Sequence, residues 1–304
     1  NVNVDFPSLE PGIYTVEVPA PPGYLPCEDP AMAGQVGNPD SYFYGNPRRV
    51  VVVEGNSLAS LVFLFIPVVQ AVGEARDLGT GEWLSGVRIE FTATSGRIAG
   101  EKVDGQPYDA SYSQPWRTAP DGVFPANVFL PAANWDLAVM RDHYATRLVP
   151  NAVASVPKGT TVDLGTLWLA PLDENGNGLS DAWEARYEWS VPPTAAGDDD
   201  GDGQSNFAEL LAGTDPTSEQ SRFSVDDLLP ESPAVGLQLI WPAAPGRIYR
   251  MRAKGELTDA DWTSVGGPWT GRTDQATMQW QIPETPGYPF RYFLPDVASP
   301  SAAP

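Results

Sequence analysis

Two stretches of the chain, Asp173 to Glu184 and Asp198 to Glu209, follow one pattern, D-x-[DN]-x-[DN]-G-x5-E, without a mismatch. In the first, Asp173, Asn175 and Asn177 occupy positions 1, 3 and 5, followed by Gly178, Leu179 at 7, Asp181 at 9 and Glu184 at 12. In the second the same places hold Asp198, Asp200, Asp202, Gly203, Gln204, Asn206 and Glu209. This spacing suits a hard divalent cation. Positions 1, 3 and 5 send side-chain oxygens into one tight turn, and glycine at 6 takes the bend. Position 7 offers its backbone carbonyl, position 9 acts directly or through water, and the glutamate at 12 closes the shell with two oxygens. Ca2+ takes six to eight such oxygens, so the pattern predicts two Ca2+ sites. A solvated acidic loop is the bland alternative, but two matches in register, 25 residues apart, weigh against chance. Carboxylates rank the sites: Asp173, Asp181 and Glu184 in the first, Asp198, Asp200, Asp202 and Glu209 in the second. The second is expected to bind more tightly.

The elements that hold these loops are short. Leu167-Trp168-Leu169 reads as strand, so each unit is a loop followed by one helix, not a helix–loop–helix. The pattern predicts helices over 181–189 and 205–211, the second stopped by Gly213. With Gly213-Thr214-Asp215-Pro216 closing the phrase, the segment resembles the thrombospondin type 3-like or dockerin-like calcium repeat. Dockerins favour Asp at the twelfth position; Glu184 and Glu209 there point to the structural version.

Composition narrows the function classes. The 304 residues carry a net charge of -21, a field that repels phosphate backbones and anionic lipid, so nucleic acid is not an expected partner. One Cys, Cys27, allows neither an internal disulfide nor a thiolate zinc site, and one His, His143, leaves a single imidazole base. No nucleophile elbow, P-loop or zinc-protease helix motif is present. His143 reads as a strand residue without catalytic company, and no enzyme activity is expected. The longest apolar run, 58–72, is interrupted by Pro67 and reads as two strands, so membrane insertion is not expected. With 29 Gly and 32 Pro, turn chemistry is dense and many short strands follow. The fold class read from this is mostly β, several sandwiches joined by a short two-helix calcium-binding linker.

Five segments emerge. In residues 1–67, Pro11-Gly12-Ile13-Tyr14-Thr15-Val16 leading to Pro22-Gly23-Tyr24 resembles the later half of a Cna-B or prealbumin-like domain. The opening strands of that family have no counterpart upstream, so this sandwich reads as partial. Residues 68–170 run from Val69-Gln70-Ala71-Val72 through Thr80-Gly81-Glu82-Trp83-Leu84-Ser85-Gly86 to Val87-Arg88-Ile89, and close on Val162 to Leu169. They resemble a carboxypeptidase-regulatory-like (transthyretin-like) sandwich, which implies a spacer without catalytic groups. Some relatives carry a Lys–Asn isopeptide; here only Lys102, Lys158 and Lys254 exist, and none lies in the opening strands, so none is expected. Residues 171–221 are the double calcium loop. Residues 222–297, with Leu239-Ile240-Trp241, Pro245-Gly246-Arg247-Ile248-Tyr249 and Phe290-Arg291-Tyr292-Phe293, resemble the small sandwich that ends many secreted bacterial proteins. Residues 298–304 are a tail.

These resemblances imply a non-enzymatic, calcium-stabilised, extracellular structural protein of a bacterial surface stalk or fibre. Its expected partners are copies of itself, joined head to tail where the partial sandwich receives a strand at 13–18 or 50–53 from a segment near either terminus. The alternatives are a polysaccharide-binding accessory tail of a secreted enzyme, with tryptophans as stacking platforms, and a dockerin-like docking module. For Trp116, Trp135, Trp183, Trp241, Trp262, Trp269 and Trp280, packing in thin sandwiches is the preferred reading.

Overall fold

A computed structural model describes residues 12–16, 19–26, 48–52, 65–95, 100, 102–103, 115–131, 133–154, 156–225, 227–230, 237–272, 274–282, 290 and 292–298. Among these residues the architecture is mostly β, with several small sheets and two short helices. In chain order the strands are β1 (Gly12–Val16), β2 (Tyr24–Pro26), β3 (Arg48–Val52), β4 (Phe65–Asp77), β5 (Arg88–Ala93) and β6 (Lys102–Val103). They continue with β7 (Phe129–Pro131), β8 (Trp135–Met140), β9 (Arg147–Val153) and β10 (Thr161–Leu169). Helices α1 (Asp181–Glu184) and α2 (Asn206–Ala212) follow. The last strands are β11 (Asp227–Pro230), β12 (Leu237–Pro242), β13 (Ile248–Lys254), β14 (Thr263–Thr270), β15 (Thr277–Gln281) and β16 (Tyr292–Ala298).

The largest core lies between two sheets, one ordered β10-β4-β2 with β7 also on β4, the other β6-β5-β8-β9. Alternation in the sequence explains the two faces. Ile89, Phe91 and Ala93 of β5 and Trp135, Leu137 and Val139 of β8 are buried against Val69, Ala71 and Ala75 of β4 and Leu167 and Leu169 of β10. On the other face of β5, Arg88 and Glu90 pair at 3.2 Å. Burying each large apolar side chain stabilises by about 1.5–3 kcal/mol, and Phe91 meets Trp116 edge-on at 6.2 Å between centroids.

β4 departs from expectation. It runs through Pro67 as one strand, because a proline is tolerated where its nitrogen need not donate. Pro67 stands opposite Tyr24 at the end of β2's short pairing, and the next amide, Val68, donates to Gly23 O at 2.9 Å. The strand thus carries the chain from 1–67 into the sandwich without a break. β1 and β3 form an antiparallel two-stranded sheet. The remainder of the expected partial sandwich lies outside the described residues, as does Cys27.

The final core is smaller. Sheets β11-β12-β15 and β14-β13-β16 enclose Leu239, Trp241, Tyr249, Met251 and Met278, with Trp269, Trp280, Phe293 and Val297 packed around them. Trp116, Trp135, Trp183 and Trp241 are buried, and Trp262, Trp269 and Trp280 are half-buried. His143 is not in a strand: it follows β8 in a turn at φ 66, where its carbonyl accepts from Leu172 N at 2.9 Å.

Candidate metal centre

Between the two larger cores, residues 171–225 fold around Leu179, Trp183 and Leu210, with Tyr187, Trp189, Ala195 and Leu211 packed against them. The loops flank this cluster and repeat one another in detail. In the first, both carboxylate oxygens of Asp173 accept backbone amides, from Asn177 at 3.1 Å and Gly178 at 3.0 Å. Asn175 Oδ1 accepts from Asn177 N at 2.9 Å, and Asn177 Oδ1 from Leu179 N at 2.8 Å. In the second, Asp198 accepts from Gly201 N at 2.8 Å and Gly203 N at 3.0 Å. Asp200 Oδ1 accepts from Asp202 N at 3.1 Å, and Asp202 Oδ1 from Gln204 N at 2.7 Å. Asn175, Asn177, Asp200 and Asp202 thus each bond the amide two residues on, while Asp173 and Asp198 reach amides three to five residues on, turns that short Asp and Asn side chains can make. Gly178 and Gly203 at position 6 have φ 86 and 94, values at which a Cβ would be strained.

The two loops are tied together. Ala195 N donates to Asn177 O at 3.2 Å, and Phe207 N to Ala195 O at 3.1 Å. Asn206 sends its Nδ2 to Thr194 O at 3.0 Å and to Asp199 Oδ2 at 2.6 Å, which leaves its Oδ1 buried without a partner.

At the twelfth position the loops differ. Glu184 of the first accepts Nδ2 of Asn177 at 2.8 Å and of Asn175 at 3.3 Å, while Asp181 accepts from Glu174 N at 3.2 Å. Its carboxylates are therefore satisfied within the protein. Glu209 of the second is fully buried on α2, with Oε2 unpartnered and Oε1 accepting from Thr214 Oγ1 at 3.3 Å. Burial, and then the negative charges of Asp200, Asp202 and Asp198, push its carboxyl up to about 7. Oδ2 of Asp200 and Oδ2 of Asp202 are likewise buried without a partner. One oxygen from each of Asp198, Asp200 and Asp202 lies within 4.8 Å of the others, the only such acidic trio among the described residues. Buried carboxylate oxygens without a partner are costly unless a cation joins them. The donor set is all oxygen and rich in charge, which fits a hard divalent ion and not a soft one.

The helices that carry the twelfth ligands also have local causes. Ser205 caps α2 by accepting from Ala208 N at 3.3 Å, and Gly213, at φ 80, closes it. α1 is shorter than the predicted 181–189. It ends at Glu184, because the chain folds back to stack Trp183, Tyr187 and Trp189, and Trp189 Nε1 takes the Glu184 carbonyl at 2.8 Å. Leu179 is buried in the central cluster, and Gln204 reaches across by its side chain to Phe223, as described below.

No family model matches the sequence, and no curated protein sequence is significantly similar to it. Among solved structures, the TIE protein of Bacillus anthracis aligns over 95% of this chain and 36% of its own at 9% identity, with a TM-score of 0.26. A streptococcal ancillary pilin aligns over 90% of this chain and 63% of its own at 12% identity, with a TM-score of 0.25. The chain thus spans about a third of one and under two thirds of the other.

Proposed function

We propose that the chain is a calcium-stabilised structural segment of an extracellular bacterial stalk or fibre, without catalytic activity, in which Ca2+ in the two loops stiffens the joint between sandwiches. The observation that carries the reading is the second loop, where the buried Glu209 and the half-buried Asp200 and Asp202 each present an unpartnered carboxylate oxygen. Asp198, Asp200, Asp202 and Glu209 would hold the ion by side chain, Gln204 by its carbonyl, and Asn206 by its free Oδ1. Asp173, Asn175, Asn177, Leu179, Asp181 and Glu184 would hold the weaker ion, which must first displace the Asn amides from Glu184. An ion there supplies charge neutralisation and no bond-making chemistry. Sites of this kind fill at the calcium levels found outside cells. Among the described residues no helix is long and apolar enough to cross a membrane.

Self-association is the second half of the reading. It is favoured by β1 and β3, which pair only with each other among the described residues and are marginal as an isolated ribbon. The C-terminal donor is narrowed by the structure: residues 292–298 are already paired along β13. Polysaccharide stacking loses its platform where Trp116, Trp135, Trp183 and Trp241 are buried.

Calorimetric titration with calcium chloride tests the metal reading: two sites are expected, the tighter absent in Glu209→Gln. A titration without heat or spectral change at millimolar calcium would overturn it.

A further inference from the structure

Glu82, in the hairpin that leads from β4 toward β5, is approached by two arginines from distant parts of the chain. Arg186 Nη2, two residues beyond the Glu184 ligand, reaches Glu82 Oε2 at 3.0 Å. Arg247 Nη1, in the turn before β13, stands 3.7 Å from the same oxygen. Arg247 is 2% exposed, an uncommon burial for a guanidinium. Its Nη1 also donates to Thr80 O at 3.4 Å, and its Nη2 to Leu210 O at 3.1 Å, the carbonyl next to the Glu209 ligand on α2. One side chain of the terminal sandwich is therefore held by the second sandwich and by the calcium-loop helix at once.

A second tie runs parallel to it. Gln204, at position 7 of the second loop, donates Nε2 to Phe223 O at 2.8 Å and accepts from Phe223 N at 3.1 Å through Oε1. Phe223 stacks on Tyr249 of β13 at 5.9 Å, inside the terminal core. The seat is tight. A Cβ at Gly213 would lie 2.6 Å from Ala244 Cβ and 3.5 Å from Arg247 Nε, and one at Gly246 would lie 2.7 Å from Glu82 Cα.

We infer that the second calcium loop and the seat of the terminal sandwich form one two-state element, with Arg247 as the positioning residue that joins them. This rests on the calcium reading above. Arg247 is buried only while α2 presents Leu210 O and the hairpin presents Thr80 O and Glu82. α2 in turn stands where it does while Glu209 is turned into the acidic loop. Without a cation the crowded carboxylates push α2 outward, and an undocked Arg247 recovers water. With a cation, α2 is drawn in and the guanidinium is enclosed. By reciprocity, anything that favours docking must raise calcium affinity by the same factor by which calcium favours docking.

The test measures calcium affinity and domain docking separately, on the full chain, in wild type, Arg247→Met and Glu82→Gln. Neither substituted residue is a ligand. Calorimetry with calcium chloride reads affinity, and small-angle scattering with calcium or EDTA reads docking. Wild type is expected to compact on adding calcium. Arg247→Met is expected to bind at the tighter site about five- to tenfold more weakly and to keep an extended profile in both conditions. Glu82→Gln, which removes a half-exposed partner and leaves the cores intact, is expected to shift both readouts in the same direction by less. Wild-type scattering unchanged by calcium, or calcium affinity equal in all three proteins, overturns the coupling while leaving the calcium sites standing. Absence of calcium binding by folded wild type overturns the sites and the coupling together.

Discussion

Tyr144 donates its hydroxyl to Oδ2 of Asp77 at 2.8 Å, a buried contact between residues 67 positions apart. Asp77 uses its other oxygen to accept Gly79 N at 2.7 Å and Thr80 N at 2.8 Å. A tyrosine on the β8–β9 connection thereby fixes the turn that presents Thr80 and Glu82 to Arg247. Tyr144→Phe leaves a buried carboxylate oxygen without its donor, which costs about 1–3 kcal/mol. Urea unfolding followed by tryptophan fluorescence is expected to show the midpoint falling with the slope unchanged; an unchanged midpoint would mean that Asp77 finds another donor.

The same pair sets a pH dependence. Burial first, and then the negative charge of Asp77, raise the Tyr144 hydroxyl well above the ordinary tyrosine value of 10.0. In the folded chain the proton is held while the unfolded chain gives it up, so folding binds more protons above that value. The contribution is complete below pH 10.0 and is lost as pH rises through the folded value. The stability gap between wild type and Tyr144→Phe is therefore expected to be constant at neutral pH and to narrow above pH 10.0. A gap that widens there would contradict the buried neutral phenol.

Calcium removal is expected to act on the linker before the sandwiches. At a hundredfold excess over Kd each site adds about 2.7 kcal/mol, and Glu209→Gln should forfeit more of it than Glu184→Gln. In the absence of calcium the order reverses. Gln at 209 no longer buries a charge among Asp198, Asp200 and Asp202, so the calcium-free variant should melt no lower than wild type. Differential scanning calorimetry with calcium and with EDTA reads both halves.

Protease cleavage gives the local view. Sites within 171–216 should open on adding EDTA while the Phe91–Trp135 and Trp241–Tyr249 cores stay resistant. The same fragments at the same rate in both conditions would remove calcium from the account of the joint.

Gly246→Ala tests the seat of the terminal sandwich from its other side. Gly246 lies at φ 80, and an added Cβ would collide with Gly81 O. Gly86, at φ 71 with nothing near the new Cβ, serves as control. Backbone strain alone costs about 1–2 kcal/mol in each. Gly246→Ala is expected to lose more than Gly86→Ala and to extend the scattering profile; equal losses would mean that the contact with the hairpin contributes nothing.

Self-association is read by light scattering in the presence of calcium. Growth in mass with concentration, weakened by deleting residues 1–6, is expected; a chain that stays monomeric at high concentration with its first segment folded would end the fibre reading.

The two loops were legible in the sequence because their geometry is local. Asp173, Asn175 and Asn177, like Asp198, Asp200 and Asp202, turn the backbone through bonds to amides two to five residues away, so spacing alone specifies the oxygens. Alternation did the same for β5, β13 and β15, whose buried positions follow from a period of two. β14 was not legible: Gly266-Gly267-Pro268 breaks the alternation, and only pairing with β13 makes it a strand. α1 stops early because Trp189, five residues on, takes the Glu184 carbonyl, a choice made by the stacking of three aromatic rings and not by helix propensity. Glu82, Arg186 and Arg247 carry no motif at all. Their meeting needs the hairpin, the loop helices and the turn before β13 to be in place together, and a pattern confined to a dozen neighbouring residues holds no information about contacts that close over more than a hundred and sixty.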